Sequence, residues 1–305
     1  MKSRDLVDLL LLAAIWGSSF LFMRLVVPAF GPVAMAFVRV AGASLLLLPI
    51  LVWRGEWPVL RQHWRPMLVL GLTNSALPFM LFGYAAYTLP AGLAAIFNAA
   101  TPLSAALIAW LWLGTPLTHW RSLGLALGFV GVVGLGLYKS MAAGGVQGLQ
   151  GLQFDHHTAL AVAACLLGTL LYGHAASHAR RYLAGVPAMV MAAGTQLAAS
   201  AALLLPALWA WPSTPPSLQA WGLAAALAVL ASGVAYVLYF RLISNVGPTQ
   251  AASVTFLVPV FASLWGALAL GEVVTLPMLI GGAVVLAGSA LVLGLLPRPA
   301  PAAAA

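Results

Sequence analysis

The 305-residue chain is nearly free of acid: Asp and Glu together number 5, and charged residues of all kinds make up only 6%. A soluble domain carries roughly 25% charged residues, because its surface must face water. The shortage therefore excludes a soluble globular fold. Cysteine occurs once, as Cys165, so no internal disulfide can form and the residue reads as helix-packing filler. The acids are Asp5, Asp8, Glu56, Asp155 and Glu272, none of them in the middle of an apolar stretch. Cationic-drug antiport needs a buried carboxylate to pair with the cation and exchange protons, so it fits poorly. An intramembrane aspartyl protease needs two. No His-Glu-x-x-His stands in the sequence, so the zinc-hydrolase motif is missing as well. "LASGVAY" (Leu230 to Tyr236) lacks the Gly-x-Ser-Gly of a rhomboid-type protease. No enzymatic activity, metal or other cofactor is expected.

What fills the chain is apolar sequence, 63% of all residues, and it falls into stretches near the ~20 residues that cross a bilayer core. Ten are predicted: Leu6–Val27, Val33–Trp53, Met67–Thr88, Ala91–Trp112, Trp120–Tyr138, Thr158–His178, Pro187–Trp209, Gln219–Ile243, Pro248–Leu270 and Pro277–Leu296. The first follows Lys2 and Arg4 like a signal peptide, but its length and the nine later stretches predict an uncleaved helix. In a soluble protein the net charge of +8 would suggest nucleic acid. Here it reads as topology, and no nucleic-acid partner is expected. With the N-terminus inside, the cytoplasmic segments hold Lys2, Arg4, Arg54, Arg61, Arg65, Arg121, Arg180, Arg181, Arg241 and Arg298, against Lys139 outside. This is the positive-inside pattern, with both termini cytoplasmic. The partners expected are the lipid bilayer and a small-molecule substrate. Trp53, Trp57, Trp64, Trp110, Trp112, Trp209 and Trp211 lie at the ends of stretches, as interfacial anchors do.

One interval recurs along the chain. Pro102 and Pro259, Gly114 and Gly271, Gly124 and Gly281, and Gly131 and Gly288 are each 157 positions apart (271 − 114). A fixed interval joining glycines and prolines marks an internal repeat. The expected organisation is an all-α membrane protein with a first five-helix repeat at 1–139, a Gly- and Gln-rich linker at 140–157, a second five-helix repeat at 158–296 and a disordered tail at 297–305. Five is odd, so the second repeat enters the bilayer from the opposite side. Inverted repeats of this kind carry alternating access in transporters, with the substrate site between the halves.

The candidate site residues are the polar and aromatic ones at central depth. They are Trp16, Ser19, Arg39, Asn74, Phe79, Phe82, Asn98, Thr101, Tyr172, Gln196, Ser232, Tyr236 and Thr255. Each alone is ordinary helix-helix glue, worth ~0.6 kcal/mol. Together they suit a cavity with aromatic walls and a few amides and hydroxyls. Pro78, Pro102 and Pro259 lie deep within their stretches, where each removes a helix hydrogen bond and frees a carbonyl. A role in kinking or gating is expected. Arg24 and Arg39 are intramembrane charges, costly at ~2.5–3.5 kcal/mol at the bilayer centre. Arg24 is expected to snorkel to headgroups. Arg39 is expected to meet either a neighbouring helix or a substrate carboxylate. His174 and His178 are the titratable alternatives for proton coupling, expected near the cytoplasmic interface.

Several segments resemble the EamA-type branch of the drug/metabolite transporter superfamily. "AAIWGSSFLFMR" (Ala13 to Arg24) is similar to its first-helix pattern, and Arg39 to its second-helix arginine. "GYAAYTLPAGLAAIFNAATPLSAALIAWLWLG" (Gly83 to Gly114) is similar to its third-to-fourth-helix signature, with a second copy from Tyr239 to Glu272. Thr115 departs from the family pattern, which often has there the Glu seen at Glu272. The resemblance covers essentially the whole chain. It implies ten helices in two inverted repeats and export of amino acids or other small metabolites, with drug efflux in some members. The expectation is therefore a cell inner-membrane exporter of small neutral metabolites, amino acids with hydrophobic or aromatic side chains first. The alternatives are an efflux carrier for other metabolites or drugs, and a passive channel.

Overall fold

The computed structural model describes residues 3–143, 155–247, 251 and 253–295, and every regular element among them is helical. The first helix, α1 (Ser3–Trp53), runs for 51 residues. Straight, it would span about 77 Å at ~1.5 Å per residue, more than twice the ~30 Å of a hydrocarbon core. It is folded instead. Gly31 sits at φ 71°, ψ 164°, a positive φ that glycine takes without steric cost. Met23 Sδ, eight residues before Gly31, lies 3.8 Å from Nη1 of Arg39, eight residues after it. The two limbs double back about one residue, so the first two predicted stretches meet in a single-glycine turn rather than a loop.

The third stretch is α2 (Trp57–Gln62), α3 (Trp64–Gly71), a π-helical turn (Leu72–Ala76) and α4 (Leu77–Ala85). The fourth is divided into α5 (Ala91–Asn98) and α6 (Thr101–Leu113), and the fifth is α7 (His119–Ala143). After it come α8 (His156–Tyr182) and α9 (Ala188–Trp209). The eighth stretch is α10 (Leu218–Val229), a second π-helical turn (Leu230–Val234) and α11 (Ala235–Val246). The last two are α12 (Val254–Leu270) and α13 (Leu276–Leu293). Eight helical segments are long and apolar enough to cross a membrane, with α1 counted once, and α12 is a shorter apolar helix. Helix occupies both ends of the predicted 140–157 linker: α7 reaches Ala143, and α8 starts at His156. That start has a local cause, since the Asp155 carboxylate accepts from the His157 and Thr158 backbone N–H groups, a helix N-cap. Residues 144–154 of the linker and the 297–305 tail lie outside the described residues.

Close packing recurs at, or within one residue of, the repeat interval. A Cβ on Gly17 would lie 2.7 Å from Phe261 Cβ and 2.9 Å from the Ala262 N; on Gly173 it would lie 2.7 Å from the Ser104 carbonyl and 2.8 Å from the Ala105 N. Ser104 and Ala105 stand one interval before Phe261 and Ala262. In α7 and α13, Gly124 meets Val292 and Gly281 meets Leu135, again an exchanged pair. Gly114 and Gly271 both end their helices in the left-handed conformation, each at φ 65°, a C-cap that glycine suits. The outer surface is apolar: Leu45, Leu205 and Leu268 are more than two-thirds exposed, and Trp53 and Trp209 still more so. Such a belt suits lipid contact.

Candidate functional site

The prolines shape the centre. A proline at i cannot bond the carbonyl of i−4, so Pro78 releases that of Asn74, Pro102 that of Asn98 and Pro259 that of Thr255. At Pro78 the chain widens into the π turn Leu72–Ala76. At Pro102 the helix is interrupted between Asn98 and Thr101, and the Thr101 hydroxyl donates to the freed Asn98 carbonyl at 2.7 Å. At Pro259 the helix α12 continues. The second π turn, Leu230–Val234, has no proline; there the Trp16 indole Nε1 donates to the Ala231 carbonyl at 3.2 Å. Such turns are frequent at functional sites.

Asn74, Asn98 and Thr255, the residues with released carbonyls, all line one central cavity of about 670 Å³. Trp16, Ser19, Arg39, Phe79, Phe82, Thr101, Tyr172 and Tyr236 line it too. Gln196 and Ser232 do not. They are fully buried one layer back, where Gln196 donates to Ser75 at 3.3 Å and to the Tyr236 hydroxyl at 3.5 Å, and Ser232 accepts from Arg39 Nε at 2.9 Å. The walls are aromatic: Phe82 stands edge-on to Phe20 and stacks on Tyr172, with centroids 5.9 and 6.2 Å apart.

The two ends of the cavity differ. At one end its lining continues through Ala175, Ala176, Ala179, Leu183 and Val186 to Ala188, at the connection between α8 and α9. The first limb of α1 lines the cavity with the larger Phe20 and Met23. At the other end Arg24 Nη1 lies 2.7 Å from Glu272 Oε1 and donates to the Leu89 carbonyl at 3.2 Å, while Glu272 Oε2 accepts from the Ala91 N–H at 2.9 Å. These bonds tie α1 to the α4–α5 connection and to the end of α12. The segment Trp64–Ala85 runs from one end to the other, since Leu183 packs with Met67 near its start and Arg24 bonds Leu89 just past its finish. Arg24 thus binds protein instead of snorkelling to headgroups. The sequence held both halves of that pair, but 248 residues apart, with no local signal joining them. Thr115, one interval before Glu272, only caps its own helix, donating to the Ala109 carbonyl at 3.2 Å.

His174 and His178 turn away from the cavity. His174 stacks on Trp112 with centroids 4.9 Å apart, and His178 Nε2 is 3.1 Å from the Pro66 carbonyl. Trp112 is therefore packed against both histidines. No group of three His, Cys, Asp or Glu side chains able to hold a metal occurs among the described residues.

The family model described as the EamA-like transporter family matches twice, over residues 6–137 and 159–294. The chain is 24% identical over 282 residues to the uncharacterized transporter YvbV of Bacillus subtilis, covering 92% of this chain and 88% of that one. It is 29% identical over 275 residues to the uncharacterized inner membrane transporter YedA of Escherichia coli K12, covering 87% and 84%. A WAT1-related chloroplastic protein of Arabidopsis thaliana, At3g02690, is 27% identical over 279 residues, 89% of this chain and 65% of its own. A solved crystal structure superposes with a TM-score of 0.63 at 19% identity, covering 95% of this chain and 96% of that one, which shows the shared fold. Matched along nearly its whole length in two copies, the chain belongs to the EamA-like transporter family, membrane transporters of the drug/metabolite type.

Proposed function

We propose that this transporter exports small neutral metabolites across the cell inner membrane by alternating access, hydrophobic or aromatic amino acids foremost. One observation carries the reading: a central cavity walled by aromatic rings, amides and hydroxyls with Arg39 among them, whose lining extends to the α8–α9 connection and leaves out the Arg24–Glu272 pair. Aromatic walls suit an apolar side chain, and a few fixed polar groups orient a small ligand. A bulky organic cation would find no carboxylate in that lining.

The topology proposed is ten passes, with the two limbs of α1 counted separately and α12 as the ninth. The halves, 1–139 and 158–296, are taken as inverted repeats. The two family matches and the exchanged glycine contacts support that reading. The excess of Lys and Arg near Arg54–Arg65 and Arg180–Arg181 supports cytoplasmic termini. On that topology the α8–α9 connection is cytoplasmic, the conformation is inward-open, and an exporter would load its substrate in this state. The relative YedA, named as an inner membrane transporter, supports the location. A passive channel is disfavoured by the ion pair that ties α1 to the end of α12 beyond the lining. The test is an uptake panel in proteoliposomes with hydrophobic amino acids, nucleosides and cationic dyes. Selective uptake of the amino acids is expected. Uptake of the dyes or nucleosides in their place would overturn the substrate class.

A further inference from the structure

The lining of the cavity holds one full charge, Arg39, and it has no acid to pair with. Every acid in the chain is engaged elsewhere. Asp8 pairs with Arg241, Glu56 with Arg54 and Glu272 with Arg24. Asp5 accepts from Asn245, and Asp155 caps α8. Arg39 is only 6% exposed, its Nε donates to Ser232, Nη1 meets the Met23 thioether, and its guanidinium lies 3.7 Å over the Phe79 ring. A guanidinium has five N–H donors. Those contacts use two, so the rest of the fork has no protein acceptor among the described residues. Ser232 and Phe79 hold the group by its edge and one face, which fixes its plane at the cavity wall. A buried cation without a counter-ion is costly, and a planar fork suits a carboxylate in bidentate geometry. The repeat does not supply a second charge: the position one interval on from Arg39 is Gln196.

We propose that Arg39 is the anion-binding residue of the cavity and that a carboxylate is the group by which the substrate is recognised. This rests on the proposed amino-acid reading and sharpens it. The carboxylate docks on the open edge of the Arg39 fork, and the apolar part lies against Phe79, Phe82 and Tyr172. An ammonium group finds no acid in the lining, only Asn74, Asn98 and hydroxyls. The amino group is therefore dispensable, and aromatic monocarboxylates lacking it bind as amino acids do.

The test is equilibrium binding to the purified full chain in detergent, by calorimetry, with three probes of matched shape: L-phenylalanine, 3-phenylpropanoate and 2-phenylethylamine. The two acids are expected to bind within about three-fold of each other, and the amine at least ten-fold more weakly. Arg39→Gln should weaken both acids at least ten-fold, with Arg39→Lys in between. The wild-type comparison decides the question even if a variant fails to fold. Binding of the amine as tightly as phenylalanine, loss of binding by 3-phenylpropanoate alone, or retention of both acids by a folded Arg39→Gln would overturn the role of Arg39 and leave the amino-acid reading standing. Binding of none of the three would overturn both.

Discussion

Proton coupling needs a titrating group within reach of the substrate, and the two histidines of α8 face Trp112 and the Pro66 carbonyl instead. His174→Ala and His178→Ala are therefore expected to leave exchange rates within about two-fold of wild type. His178→Ala should still lower the melting temperature, because its ring joins α8 to the start of α3; loss of exchange in a folded variant would make that histidine a coupling site. The glycines make a sharper residue-scale test. Gly17→Val would put side-chain atoms into the Ala262 backbone, 2.9 Å from its first carbon, and overpacking of this kind costs about 1–3 kcal/mol. Gly134 meets nothing within 4 Å, so Gly134→Ala should be neutral or stabilising by up to ~1 kcal/mol. Thermal unfolding in detergent compares the two, and equal effects would contradict the packing described. At this scale the sequence was informative wherever a polar group interrupts apolar surroundings. Asn74, Asn98 and Thr101 stand out because lipid cannot satisfy them, and they do reach the cavity. Gln196 and Ser232 look the same in sequence, yet they support Tyr236 and Arg39 from behind. Depth along a helix is legible; which way a residue faces depends on neighbours hundreds of positions away.

Helix length and apolarity placed the elements well, because a bilayer imposes both. The gap between the first two predicted stretches, Val27 to Val33, holds helix on either side of a single positive φ at Gly31, which alone provides the reversal. The π turns at Leu72–Ala76 and Leu230–Val234 leave no mark in hydropathy. Only Pro78 hints at the first, and the second has no proline at all. The connection formed by Arg24, Leu89, Ala91 and Glu272 is also an element-scale device, tying three segments together at once, and the proposed alternating access makes it the closure of that end. Glu272→Gln should weaken that closure. With Cys165 replaced and a single cysteine at Asn98, labelling by a charged thiol reagent is expected from the α8–α9 side alone in the parent and from both sides in Glu272→Gln. Unchanged sidedness would show that the ion pair does not hold the end shut. The proposed two-fold yields a complementary expectation. Arg181 stands one interval beyond Arg24, and Thr115 stands where an acid would complete the matching pair. Thr115→Glu should favour closure of the α8–α9 end, reduce labelling of Asn98→Cys from that side and slow transport. No change in either readout would count against the exchanged-repeat geometry.

At the scale of the molecule the account rests on two halves that alternately expose one cavity. Reporter fusions at Ala305 and within Ala142–Gly151 are expected to lie on opposite sides of the membrane, and the same side for both would remove the ten-pass topology. The all-helical membrane character was readable from apolarity, and the glycines and prolines in register support the proposed two-fold. The substrate is written less plainly, since the same lining that orients an amino acid is made of common helix-packing residues, and only the unpaired Arg39 narrows it. The most direct measurement is counterflow in proteoliposomes loaded with excess unlabelled phenylalanine and diluted into labelled phenylalanine. A carrier returning its occupied cavity exchanges one molecule for another, so transient accumulation of label above equilibrium is predicted, together with no accumulation driven by an imposed pH gradient. Labelled phenylalanine that only equilibrates, at a rate indifferent to the loaded substrate, would contradict alternating access.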